Sequence, residues 1–173
     1  MTRYTALPID AVALEELRTT DDAGRPCVPY TATTAEAGSP LRCCLKPVEE
    51  CERIALVSYA PLRRWAAETG ARPGAYDEQG PVFIHVTDED CPGYTPDPGR
   101  YPFDRPGARR TLRRYDARGH IAGGALLEIP QNATAGFDAA LDEAFADPAV
   151  VLVHVRALEY GCLHYAVRRP TAP

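Results

Sequence analysis

The chain has 173 residues, which suits one domain of roughly 100–200 residues and leaves little room for two. Hydrophobic residues make up 45% and charged residues 25%, enough apolar material for a core, so a disordered chain is excluded. A formal net charge of minus 5 argues against nucleic acid or anionic lipid as a partner, and no apolar run approaches the roughly 18 residues of a spanning helix.

In chain order, a short strand is expected near Tyr4 to Leu7, followed by a helix whose first free amides Asp10 can cap. Asp21-Asp22-Ala23-Gly24 is turn chemistry, and Pro26 to Thr33 reads as a proline-interrupted edge strand. Glu52 to Tyr59 is apolar on both faces and predicts a central strand covered on two sides. One helix is expected over Leu62 to Glu68, and Gly70, Pro73, Gly74 and Gly80 then make a long loop. Pro81 to Thr87 reads as a strand, while the five prolines between Asp88 and Gly107 exclude regular structure there.

Arg109 to Asp116 and His120 to Ile129 predict a hairpin around Ala117-Arg118-Gly119. Thr134 is the expected cap of a helix to about Ala146, with Phe137, Ala140, Leu141, Ala144 and Phe145 at helical spacing. Val150 to Leu158 and Cys162 to Arg168 form a second hairpin around Glu159-Tyr160-Gly161. Two hairpins without regular strand-helix alternation give an α+β class. The expectation is a single domain over residues 1–173, with a mostly antiparallel β-sheet, two hairpins and two or three helices.

The start of the chain lacks the apolar run of a secretory signal, so a cytoplasmic location is expected. The six cysteines at 27, 43, 44, 51, 91 and 162 are then reduced thiols rather than a disulfide framework. None forms a Cys-x-x-Cys pair and no His-x-x-x-His occurs, so no metal ligand or cofactor is assigned from motif. Nor is there a Gly-x-Gly-x-x-Gly, a Walker loop or a Gly-x-Ser-x-Gly elbow, which removes weight from the common nucleotide and hydrolase classes.

The block Ser39-Pro40-Leu41-Arg42-Cys43-Cys44-Leu45, followed by Glu52, Leu56, Tyr59 and Pro61, resembles the opening signature of the domain of unknown function 1203 family. Tyr76 to His85, Cys91, Arg113-Arg114-Tyr115, His154-Val155-Arg156 and Gly161-Cys162 continue the resemblance in the same order, from about Pro40 to Arg168. Leu41 departs from it, because many members look to carry a cysteine before the arginine, and so does Cys51, where a glycine usually precedes the glutamate. The resemblance implies a map of residues and no chemistry.

A thiol beside an imidazole and a guanidinium can ionise near neutral pH and act as a nucleophile. Cys162, His154, Cys44 and His85 are therefore the candidate catalytic residues. A three-residue loop in the last hairpin would put His154, Arg156, Leu158, Cys162, His164 and Ala166 on one face. Arg42, Tyr59, Cys91, Arg114 and Arg156 are the candidate substrate-binding residues, because guanidinium groups recognise a carboxylate or phosphate bidentately. The function expected is a small-molecule enzyme acting on an anionic substrate, with non-catalytic binding or sensing as the alternative, and a homodimer is the assembly kept open. A competing reading makes His85, Cys91, Cys162 and His164 a mixed nitrogen and sulfur tetrahedron for zinc. In either case the loops Leu62 to Gly80 and Asp88 to Gly107 are expected to close over the site.

Overall fold

The structure, a computed structural model, describes residues 1–170. The first half holds α1 (Ala11–Leu17), β1 (Tyr30–Thr31), β2 (Arg53–Tyr59), α2 (Pro61–Thr69), a 3-10 turn (Gly74–Tyr76) and β3 (Gly80–His85). The second holds β4 (Arg109–Asp116), β5 (Ile121–Glu128), α3 (Ala133–Ala146), β6 (Val150–Ala157) and β7 (Leu163–Arg168). The α+β class and both hairpins are present. The strands, however, divide into two antiparallel sheets, one in the order β1-β2-β3 and one in the order β5-β4-β6-β7. The proline-rich stretch between β3 and β4 contributes no strand that would join them.

The helical spacing of Phe137, Leu141, Ala144 and Phe145 buries one face of α3 against Leu112, Val153, Val155, Tyr165 and Val167 of the four-stranded sheet. On the opposite face of that sheet Tyr115 and Leu152 pack beneath Leu62 and Trp65 of α2. The smaller sheet has its own core, in which Ile54, Val57, Val82 and Ile84 meet Leu14 and Leu17 of α1 and the segment Leu41, Cys43, Cys44. The segment after the amino terminus ties the two sheets together. Leu7 N donates to Ala166 O at 2.8 Å on the edge of β7, and Ile9 N donates to Arg42 O at 2.9 Å.

Several local expectations change. Residues 4–7 make one isolated bridge, Leu7 with Ala166, and the edge strand shrinks to Tyr30–Thr31 because its prolines lack amide donors. β2 is central, and the face that carries Ile54 and Leu56 is covered at the Ile54 end, which is fully buried, but open at Leu56, which stays 52% exposed. Asp10 caps α1 as expected by accepting from Ala13 N at 2.9 Å. Asn132, not Thr134, caps α3 by accepting from Ala135 N at 3.2 Å, and the Thr134 hydroxyl instead donates to Gly99 O at 2.7 Å. In the last hairpin His154 pairs with Ala166, but Arg156 pairs with Leu163, so a bulge falls at His164 and breaks the single polar face.

Gly136, inside α3, offers a sharp test of this packing. A Cβ there would lie 2.5 Å from both Cγ and Cδ of Pro130, atoms of a closed ring. In an open helix Gly136→Ala would gain about 1 kcal/mol. Here we expect the sign to reverse, with a lower urea midpoint, and a raised midpoint would show that Pro130 yields.

Candidate metal centre

The site begins with a turn. Leu41 lies beside Phe83 in a parallel bridge, Arg42 N donates to Phe83 O at 2.9 Å, and the chain then reverses through Leu45, whose φ is 54°. Leu41 N closes the turn on Lys46 O at 2.9 Å, which holds Cys43 and Cys44 against the end of β3. His85 is the last residue of that strand, and its amide donates to Cys43 Sγ at 3.3 Å.

Cys91 arrives on the next turn. Thr87 Oγ1 donates to Asp90 Oδ2 at 2.7 Å and accepts from Asp90 N at 3.1 Å, and Cys91 N donates to Asp88 O at 3.3 Å. Arg18 clamps the same turn, with Nε on His85 O at 3.1 Å, Nη2 on Thr87 O at 2.9 Å and Nη1 on the Asp88 carboxylate.

These elements bring one ligand atom from each of Cys43, Cys44, His85 and Cys91 within 4.8 Å of one another, and all but Cys91 are buried. His85 Nδ1 lies 3.4 Å from Cys43 Sγ and 3.8 Å from Cys44 Sγ. On the other side of the ring, Nε2 lies 3.3 Å from Glu52 Oε1. The carboxylate accepts from Nε2, and Nδ1 is directed at the thiols. Glu52 is itself held, since Oε2 accepts from Glu49 N at 2.8 Å.

The protonation states follow from these contacts. Hydrogen bonding to Cys44 lifts His85 to about 9 despite burial, helped by Cys91 and Glu52. Cys44 and Cys91 are both pulled below the ordinary thiol range, chiefly by hydrogen bonds from Cys43 and against the effect of burial. Cys43 moves up for the same reason, through its bonds to Cys44 and Cys91 and its own burial. Close approach of the sulfurs to one another and to His85 thus favours loss of protons from the thiol set, and the thiolate is the form that binds metals and attacks electrophiles.

The structure brings together Cys44, His85 and Cys91 of the residues singled out from sequence and separates the rest. Cys162 and His164, proposed with them as a zinc set, are not in the cluster; Cys43 and Cys44 take their places. Cys43 was missed, although its adjacency to Cys44 in a turn-forming block was visible. His154 is 1% exposed, packs edge-on to Tyr115 at 4.8 Å, and sits in the other sheet. Burial, with Arg156 and Arg113 nearby, lowers it to about 3 and keeps it neutral. Cys162 Sγ donates to the Tyr160 carbonyl at 3.6 Å, and His154 Nδ1 has no partner, so the two form no dyad.

The arginines also divide. Arg114 Nη2 pairs with Glu143 of α3 at 3.2 Å. Arg156 Nη1 lies 2.6 Å from Glu78 Oε1, which Arg113 also engages. Glu78 belongs to the loop after α2, so that loop covers the larger sheet and only the Asp88 to Gly107 loop covers the cysteines. Arg42 and Tyr59 line a groove of about 1080 Å3 that His154 and His164 also border. Cys44 contributes to a separate hollow of about 400 Å3 with Tyr94, Arg100, Phe103 and Asp104.

The fold and site define an α+β protein with a buried cluster of three cysteines and one histidine, built on the edge of a small antiparallel sheet. No helix among the described residues is long and apolar enough to cross a membrane. The chain belongs to the family described as Protein of unknown function (DUF1203), which matches residues 38–169 and so includes all four cluster residues. No curated protein and no solved structure matches the chain.

Proposed function

We propose that the protein binds one zinc ion through Cys43, Cys44, His85 and Cys91. The observation that carries this reading is the convergence of four soft or borderline donors within 4.8 Å. Zinc–sulfur bonds of about 2.3 Å and zinc–nitrogen bonds of about 2.0 Å place the corners of a tetrahedron roughly 3.5–3.8 Å apart. The 3.4 and 3.8 Å separations from His85 Nδ1 already match that spacing. Glu52 behind His85 supplies the carboxylate support usual for a metal-bound imidazole. Four protein donors close the coordination shell, so the ion's role is to hold the turn and the loop to the strand. A reducing cytoplasm, the location we assign to the chain, keeps such thiols available.

Elemental analysis of protein purified without an affinity-tag metal should find about one zinc per chain. Metal-free protein that neither takes up zinc nor changes its melting temperature on zinc addition overturns the proposal. Glu52→Ala tests the outer support. It should weaken zinc roughly 10- to 100-fold in a chelator competition while all four ligands remain. An unchanged affinity would show that Glu52 plays no part.

A second reading is favoured by the position of Cys44 in the wall of the smaller hollow, beside His85 Nδ1. In metal-free protein that pair would serve as a thiolate nucleophile with an imidazolium partner, acting on a small anionic substrate. Iodoacetamide distinguishes the two. The enzyme reading requires one thiol, Cys44, to react far faster than the others, whereas the zinc reading requires all three to be protected by the metal.

A further inference from the structure

The geometry points to a second site, independent of the metal: the groove of about 1080 Å3 between the amino-terminal segment, α2 and β7 binds a small-molecule carboxylate with an apolar body, through Arg42. Arg42 is 4% exposed. Its Nε donates to Leu163 O at 2.7 Å and its Nη1 to Pro40 O, so two carbonyls hold the guanidinium in place without neutralising it. Among the described residues no carboxylate pairs with it and Nη2 has no protein acceptor; the Cys162 thiol is close enough to act on it electrostatically. A buried guanidinium without a counter-charge is costly to the free protein, and a bound anion removes that cost.

The groove lining is otherwise balanced internally. Its three carboxylates are already committed: Asp10 caps α1, Glu16 pairs with Arg64, and Glu68 pairs with Arg168. Five arginines line the groove against those three, so the excess charge is positive. Arg3 is held by Asp142, and Arg169, only partly buried, spends both Nε and Nη2 on the carbonyls of Phe145, Asp147 and Val150; Arg42 is the buried arginine of the lining and keeps Nη2 uncommitted. His164, 6% exposed, adds a second polar group at the groove whose buried Nδ1 lacks a partner.

The remaining walls are apolar, with Leu7, Ile9, Pro61, Trp65 and Leu152 among them. Apolar walls with a few fixed polar groups are the usual form of a small-molecule pocket, and this volume accepts an extended apolar body. One guanidinium edge suits a planar, singly charged carboxylate better than a doubly charged phosphate, which would call for several cations.

The test is calorimetric titration of the purified full chain with decanoate below its micellar concentration, with decanol, acetate and decyl phosphate as separate arms. Decanoate is expected to bind saturably at one site, and decanol and acetate to bind far more weakly. Arg42→Ala should weaken decanoate about 30-fold or more, the effect of removing one member of a desolvated charge pair. Should that variant misfold, Val12→Glu serves instead: Val12 lines the groove yet is 68% exposed, so a carboxylate there repels the ligand without disturbing the core. Equal binding of decanol and decanoate, tighter binding of decyl phosphate, binding that survives both substitutions, or no saturable binding at all each overturns the proposal. Zinc content measured in the same samples keeps the result separate from the metal reading.

Discussion

Zinc-loaded protein treated with excess chelator at neutral pH should melt roughly 8–16 °C lower than the loaded form. Ligand present at about 1,000 times its dissociation constant stabilises a fold by about 4 kcal/mol, and each kcal/mol moves the midpoint of a chain of this size by about 2–4 °C. The ion would add a covalent-strength tie to three pieces of backbone otherwise joined only by hydrogen bonds and the Arg18 clamp: the Cys43-Cys44 turn, the end of β3 at His85, and the loop turn at Cys91. Because the ligands must be deprotonated, zinc affinity should fall as the pH is lowered, so the gap between loaded and stripped melts should narrow toward acid pH. Cys91→Ser, at a half-buried position the fold can tolerate, should reproduce the stripped melt even with zinc present. Differential scanning calorimetry checks all three statements, and coincident melts with and without chelator would reject a structural ion.

The same cluster shows what sequence could and could not reveal. Elements with strong local signals were legible: the Asp10 cap, the α3 spacing of Phe137, Leu141, Ala144 and Phe145, and both hairpins. The division into two sheets was not, because no local pattern states which strand neighbours which across an irregular connection. Cys44, His85 and Cys91 were readable as chemically active, but their partner Cys43 was not. Adjacent cysteines fit no standard ligand spacing, and their convergence depends on the left-handed conformation of Leu45, a backbone state a leucine seldom adopts. His154 and Cys162 were drawn together by a register that the bulge at His164 interrupts. A one-residue irregularity of that kind alters which side chains share a face without leaving a mark in the apolar alternation. Arg42, expected to recognise an anion, is buried in the wall of a groove, whereas Arg114 is taken up by Glu143, an acid on a helix whose docking could not be foreseen.

Phe137→Ala should cost about 3–5 kcal/mol, the usual range for emptying an aromatic site in a core. Phe137 is fully buried, its ring lies 5.1 Å from Tyr101 and 6.5 Å from Tyr165, and it is central to the contact between α3 and the four-stranded sheet. The neighbouring ring of Tyr101 cannot collapse into the space freely, because its hydroxyl donates to Asp138 at 2.6 Å and accepts from Tyr4 N at 3.2 Å. A cavity should therefore persist, which places the cost toward the upper part of that range. Urea denaturation followed by fluorescence and circular dichroism gives the value. This site shares no cluster residue with the sulfur ligands, which belong to the core of the smaller sheet, so the zinc content of the variant should be unchanged. The cost of Phe137→Ala should also be the same in loaded and stripped protein, within the few tenths of a kcal/mol expected for sites without shared partners. A cost that vanishes on stripping would mean that the two sheets unfold separately, and that the links through Leu7, Ile9 and Arg42 do not make the chain one cooperative unit.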